Sequence, residues 1–160
     1  MVRSATNRAS KPISRRGTEM ETPKKILFVC VGNTCRSQMA EGFGNFFGNG
    51  RVVAFSAGTM PAGYVHPNAI AVMKEKGIHI AHQSSKSVTE FDLTQFDAVV
   101  SLCEADIDSL CPALYMGIKE QWNIPDPVGK PLDEFRCVCD LIEARVKALI
   151  NRLLTQDDGC

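Results

Sequence analysis

Lys25-Ile26-Leu27-Phe28-Val29 runs straight into Cys30-Val31-Gly32-Asn33-Thr34-Cys35-Arg36-Ser37, and Gln38-Met39-Ala40-Glu41-Gly42-Phe43 follows at once. The short continuous apolar run predicts a buried strand, and the stretch after the loop has helix-forming composition. Downstream, Arg51 to Ser56 reads as a second short strand, broken by Ala57-Gly58-Thr59 and Pro61. Pro67 opens a helix over Asn68 to Lys76, with apolar Ile70, Val72 and Met73, and Gly77 ends it. Phe96 to Leu102 is short, continuous and β-branched, a buried strand, and another strand is expected near Lys119 to Ile124. Phe135, Val138, Leu141, Ile142, Val146, Leu149, Ile150 and Leu153 recur at three-four spacing, which predicts one long amphipathic helix over Leu132 to Leu154. Strands alternating with helices predict an α/β fold, a single domain with a four-stranded parallel sheet and helices on both faces. The loop after Cys30 then lies at the carboxyl end of a strand, where such sheets bind ligands.

A chain of 160 residues, 44% of them hydrophobic, suits one domain with a proper core. Formal charge is zero. Arg3, Arg8, Lys11, Arg15 and Arg16 crowd the start, however, so the remainder is mildly acidic and carries no nucleic-acid footprint. No apolar stretch is long enough to span a membrane. Residues 1–23, rich in Ser, Thr, Arg and Pro, are expected to be a disordered extension. They read as an over-extended translation start, with Met20 as the true one, or as an organellar transit peptide. The folded domain is expected over 24–155, with 156–160 as a flexible tail. The seven cysteines (30, 35, 103, 111, 137, 139 and 160) are odd in number and follow no secretory signal. They read as thiols in a reducing compartment, the cytoplasm, rather than as a disulfide scaffold. Their spacings do not match a zinc knuckle, so no metal site is expected. Cys137 and Cys139 are two apart on a helix and cannot both face the core. Cys160 is expected to be a loose terminal thiol.

Successive N–H groups in a turn before a helix form a concave anion site, and the helix dipole adds positive charge there. Val31, Gly32, Asn33, Thr34, Cys35 and Arg36 are therefore the expected oxyanion-binding residues. Gly32 lets the ligand approach the backbone closely. Arg36 offers parallel donors to two oxygens. The same features favour the thiolate of Cys30, the expected nucleophile. Ser37 is placed either to hydrogen-bond that sulfur or to cap the helix N-terminus, or to do both.

The segment Val29 to Ser37 resembles the signature of the low-molecular-weight protein tyrosine phosphatases and of the arsenate reductases that share their fold. Ser37 to Phe43, Ser56-Ala57-Gly58, Val65 to Ile70 and Met73 to Ile78 resemble the reductase branch, and the similarity runs from about Lys24 to Leu154. The resemblance implies a phosphatase-like fold and reduction of arsenate to arsenite for detoxification, with phosphate or sulfate as competing anions. Asp126, before Pro127, would be the acid that protonates the leaving oxygen. Where the phosphatases carry aromatic residues after this pair, the chain has Val128-Gly129-Lys130.

The resemblance also implies a thiol relay. Cys30 would attack arsenate, Cys103 would attack the Cys30 sulfur and expel arsenite, and Cys111 would resolve the disulfide into Cys103–Cys111. The polar linker from Glu104 to Ser109 would swing outward to allow it. No cofactor would be tightly bound, and thioredoxin or glutathione with glutaredoxin would return the electrons. Cys103 and Cys111 enclose seven residues where the thioredoxin-coupled pattern has six, and the C-terminal half resembles cyanobacterial hybrid reductases that use glutaredoxin. Both donors stay open.

Some relatives hold potassium beside the loop. The matching positions are Asn33, Glu41 and Ser56, with Lys86 where an acidic ligand is expected. The Lys86 ammonium then replaces the cation, or is a solvated surface group. Cys35 either forms a protective disulfide with Cys30 or packs beneath the loop. Two other functions remain open: a low-molecular-weight tyrosine phosphatase with no reductase role, and a non-catalytic oxyanion-binding redox sensor.

Overall fold

The computed structural model describes residues 22–158, with side chains to residue 155. The expected N-terminal extension lies outside the described residues up to residue 21, as does Cys160. Strand β1 (Lys24–Cys30) is flanked by β2 (Val52–Gly58) and β3 (Ala98–Ser101), and β4 (Ile118–Gln121) lies beyond β3. All pairings are parallel. Register runs from Lys24 opposite Val52 to Cys30 opposite Gly58, and from Ile26 opposite Ala98 to Val29 opposite Ser101. Being central and covered on both faces, β1 buries Ile26, Leu27, Phe28 and Val29 completely. That double burial is why its sequence is continuously apolar instead of alternating.

Alternate side chains of β1 enter two separate cores. Ile26 and Phe28 join residues of helices α1 (Arg36–Gly48), α2 (Pro67–Glu75) and α4 (Leu132–Asp158), among them Met39, Phe43, Phe135 and Leu149. Leu27 and Val29 pack with Leu93, Phe96, Val99, Ile107 and Cys111. The two faces are thus unequally covered. Three long helices shield one, while the single-turn α3 (Ile107–Leu110) and 3₁₀ turns at Val88–Glu90 and Leu93–Gln95 cover the other.

The expected elements all form, with shifted ends. Strand β2 continues past Ser56 to Gly58 because Ala57 and Gly58 keep pairing with β1. Strand β3 spans only Ala98–Ser101, and Phe96 enters the second core from outside it. Strand β4 stops at Gln121, and Trp122 and Ile124 bury themselves after it, with Trp122 5.8 Å from the Phe28 ring. Helix α2 has a cap that the pattern does not reveal: His66 Nδ1 accepts from Asn68 N at 3.0 Å. Gly77 ends it in the left-handed region at φ 81°. Helix α4 runs on to Asp158, so the boundary expected at residue 155 falls inside it. Leu141, counted in its apolar stripe, is exposed, and Cys137 is exposed while Cys139 is buried. Burial pushes the Cys139 thiol up to about 12, which leaves it inert. No helix among the described residues is long and apolar enough to cross a membrane.

Phe28 touches the helices from the middle of the central strand, so Phe28→Ala should cost about 3 to 5 kcal/mol by cavity formation. Denaturant unfolding should show a lower midpoint at unchanged slope.

Candidate active site

A parallel sheet gathers the carboxyl ends of its strands on one edge, and each strand here delivers a part of the site. From β1 comes Cys30, 3% exposed, followed by the loop that leads into α1. The loop carbonyls are held away from its concavity. Thr59 N, Met60 N, Ala62 N and His66 N donate to the carbonyls of Cys30, Val31, Gly32 and Thr34 at 2.8 to 3.1 Å. Gln38 Nε2 donates to Asn33 O at 2.9 Å, and Met39 N donates to Cys35 O at 2.9 Å. Among the described residues, no protein acceptor takes the N–H groups of Val31 to Cys35. A turn with its carbonyls tied outside and its N–H groups unpaired before a helix has the geometry to receive an oxyanion.

Two features allow this path. Asn33 sits at φ 52°, a region that asparagine tolerates better than other residues with a Cβ. Gly58, the last residue of β2, lies so close that a Cβ there would stand 2.5 Å from Val31 O. The residue pattern marks neither requirement. Nor does it expose Gln38, a fully buried amide in α1 whose Nε2 also donates to Ser84 O at 2.9 Å.

The Cys30 sulfur stands at the end of a chain of hydrogen bonds. Asn33 Nδ2 donates to Ser37 Oγ at 2.8 Å, and Ser37 Oγ lies 2.9 Å from Cys30 Sγ. The Ser37 hydroxyl, accepting from Asn33, keeps its own hydrogen free to point at the Cys30 sulfur. The other end of the Asn33 amide is also fixed, its Oδ1 accepting from Lys86 N at 2.8 Å. Of the two expected roles of Ser37, only the first holds. The residue lies inside the first turn of α1, and Cys35 occupies the cap position without a side-chain bond.

Arg36 turns from α1 toward the ends of β3 and β4. Its Nη1 donates to Ile124 O at 2.9 Å and to Leu102 O at 3.4 Å, and its Nη2 lies 3.7 Å from Asp126 Oδ2. The guanidinium is thereby aimed before any anion arrives. Asp126 is about half exposed and accepts from Val128 N at 3.1 Å, so one loop turn sets its carboxylate beside Arg36.

The thiols differ in surroundings. Cys35 belongs to the helix-side core, and burial, reinforced by Asp126 and Cys30, pushes its thiol well above the ordinary range. That is the packed position beneath the loop, and the raised thiol opposes exchange with Cys30. Cys103 lines a cavity of about 210 Å³ with Arg36, Glu104, Asn123, Ile124 and Pro125, so a second thiol borders the same space as the Arg36 guanidinium. Cys111 does not line that cavity. It lies in the second core under α3, where burial pushes its thiol up. All three are free thiols.

Behind the loop, Ser56 Oγ donates to Glu41 Oε1 at 2.5 Å and Lys86 Nζ lies 3.7 Å from the same oxygen. Lys86 Nζ also donates to Ser84 O at 2.6 Å. Burial raises the Glu41 carboxyl above its usual range, against the opposing pull of Ser56 and Lys86.

The family model of the low molecular weight phosphotyrosine protein phosphatases matches residues 25–158. A glutaredoxin arsenate reductase of Synechocystis sp. is 40% identical over 130 residues, covering 81% of this chain and 98% of its own. Arsenate reductase 1 of Staphylococcus epidermidis is 44% identical over 131 residues, with the same coverage of 81% and 98%. A solved arsenate reductase in its phosphate-binding state superposes with a TM-score of 0.74 at 40% identity, covering 81% of this chain and 98% of that one. The matched stretch contains the whole loop together with Cys30, Cys35, Cys103 and Cys111, and the chain belongs to the low molecular weight phosphotyrosine protein phosphatase family.

Proposed function

We propose that this protein is an arsenate reductase. The observation that carries the reading is the Cys103 thiol facing the Arg36 cavity, because hydrolysis of a phosphate ester needs no second thiol there. The loop N–H groups and Arg36 bind the oxyanion, and phosphate and sulfate compete for them. Cys30 thiolate attacks arsenic, Asp126 protonates the departing oxygen, and water leaves behind a Cys30 thio-arsenate adduct. Cys103 thiolate then attacks the Cys30 sulfur. The sulfur–arsenic bond breaks with its electron pair on arsenic, arsenic(V) becomes arsenic(III), and arsenite departs from a Cys30–Cys103 disulfide.

Cys111 thiolate next attacks Cys103 and releases Cys30 as thiolate. A dithiol donor of the thioredoxin or glutaredoxin class reduces the resulting Cys103–Cys111 disulfide, and the need for recurrent reduction fits a cytoplasmic setting. Lys86 occupies the place of a monovalent cation, neutralising Glu41 while its backbone braces Asn33. Cys30, Arg36 and Asp126 also equip the site for slow aryl-phosphate hydrolysis.

Arsenate-dependent NADPH oxidation, run with thioredoxin and its reductase and in parallel with glutathione and glutaredoxin, should couple to one system. Coupling to neither contradicts the assignment. Cys103→Ser should abolish multiple turnover and keep any aryl phosphatase activity, whereas Cys30→Ser should lose both. Lys86→Ala should lower kcat/KM roughly tenfold and make it responsive to potassium over sodium. A wild type stimulated several-fold by potassium, together with an unaffected Lys86→Ala, would contradict the role given to Lys86.

A further inference from the structure

The chain between Cys103 and Cys111 contains the single turn of α3 and is otherwise irregular. One side chain of the neighbouring strand organises it. Gln121, the last residue of β4, lies opposite Ser101 in register. Its Nε2 donates to Cys103 O at 2.7 Å and to Ala105 O at 3.0 Å, and its Oε1 accepts from Ile107 N at 3.0 Å. Ser101 Oγ adds a donation to Ala105 O at 2.6 Å. Ile107 is the first residue of α3, so its N–H is one that the helix itself leaves unpaired.

The remaining bonds of the segment hold it to the sheet only weakly. Asp106 accepts from Asp108 N and from Ser109 Oγ, partners that travel with it. Lys119 pairs with Asp108 at 2.9 Å, but the pair is exposed and contributes little. Besides the packing of Ile107, Leu110 and Cys111, the attachment is polar and centred on Gln121. That side chain is exposed, so water can take over its bonds when the segment moves.

We propose that Gln121 is a positioning residue that latches the relay segment shut in the reduced protein. Shut, the segment directs Cys103 to the Arg36 cavity and keeps Cys111 buried in the second core. The latch rests on the relay reading, in which Cys111 thiolate attacks the Cys103 sulfur of Cys30–Cys103. In that exchange one disulfide bond breaks and another forms, Cys30 leaves as thiolate, the Cys111 proton goes to solvent, and no electrons are gained or lost. Cys103 lines the Arg36 cavity while Cys111 is packed in the second core, so the segment between them, with its tether to β4, must rearrange for their sulfurs to meet. The latch therefore stabilises the reduced dithiol over the Cys103–Cys111 disulfide.

Hydrogen exchange across 104–111 and N-ethylmaleimide labelling of Cys111 test it on the reduced protein without arsenate. Gln121→Met keeps the side-chain length and removes every polar bond; Gln121→Glu keeps the acceptor and removes both donations. Each should accelerate exchange and labelling roughly three- to tenfold, with exchange in β1 and β3 unchanged. Lys119→Ala should leave both within about twofold. The Cys103–Cys111 couple should become more reducing by about 15 to 30 mV in Gln121→Met, the same fold-change expressed as a potential. Unchanged exchange and labelling in both Gln121 variants would overturn the latch, as would acceleration spread evenly over the sheet. Failure of the couple to form in the wild type would overturn the relay, while the exchange result would still decide the latch.

Discussion

Every function of this site depends on the loop after β1 being held inside out. An ordinary turn satisfies its own N–H groups; this one gives its carbonyls to the segment 59–66, to Gln38 and to α1, and leaves the N–H groups for a guest. Unpaired buried donors are costly, by about 1 to 3 kcal/mol each, so such a loop persists only when its surroundings fix it from outside. The surroundings do so closely. Asn33 anchors it through both ends of its amide, and Gly58 removes the one Cβ that would push it away.

The order β2-β1-β3-β4 explains why the remaining chemistry converges on that loop. Parallel strands end together, so Cys30 from β1, Gly58 from β2, Leu102 and Cys103 after β3, and Ile124 and Asp126 after β4 share one edge. Arg36 links them, drawing on the carbonyls of Leu102 and Ile124 to stay aimed. The geometry of the loop suits a tetrahedral anion. It does not select the reaction, since phosphate and arsenate present it with nearly the same shape. In the proposed function that choice falls to Cys103, a thiol brought to the Arg36 cavity by the end of another strand.

Much of the architecture was legible in the residues because burial leaves a periodic trace. The run Ile26 to Val29 and the three-four stripe of α4 mark themselves, and the loop is announced by its cysteine, glycine and arginine. What periodicity cannot carry is a bond between side chain and distant backbone. His66 capping α2, Gln38 holding Asn33 and Gln121 holding Cys103 are single polar residues in unremarkable company, and each acts across the fold. Ser37 was ambiguous for a related reason: its helix begins one residue before it, a boundary that composition does not fix. The unequal covering of the sheet was equally hidden, because α3 and the 3₁₀ turns are too short for any period to show.

In the proposed relay the oxidation that arsenate imposes on Cys30 passes by way of Cys103 to Cys111, so the two electrons come in the end from the Cys103 and Cys111 thiols. The most direct measurement is disulfide mapping by mass spectrometry after one equivalent of arsenate is added to fully reduced protein with no external thiol. One arsenite per chain with a Cys103–Cys111 disulfide and a free Cys30 is the result expected. Arsenate left unreduced, or arsenite formed with Cys30 paired to Cys35, would contradict it.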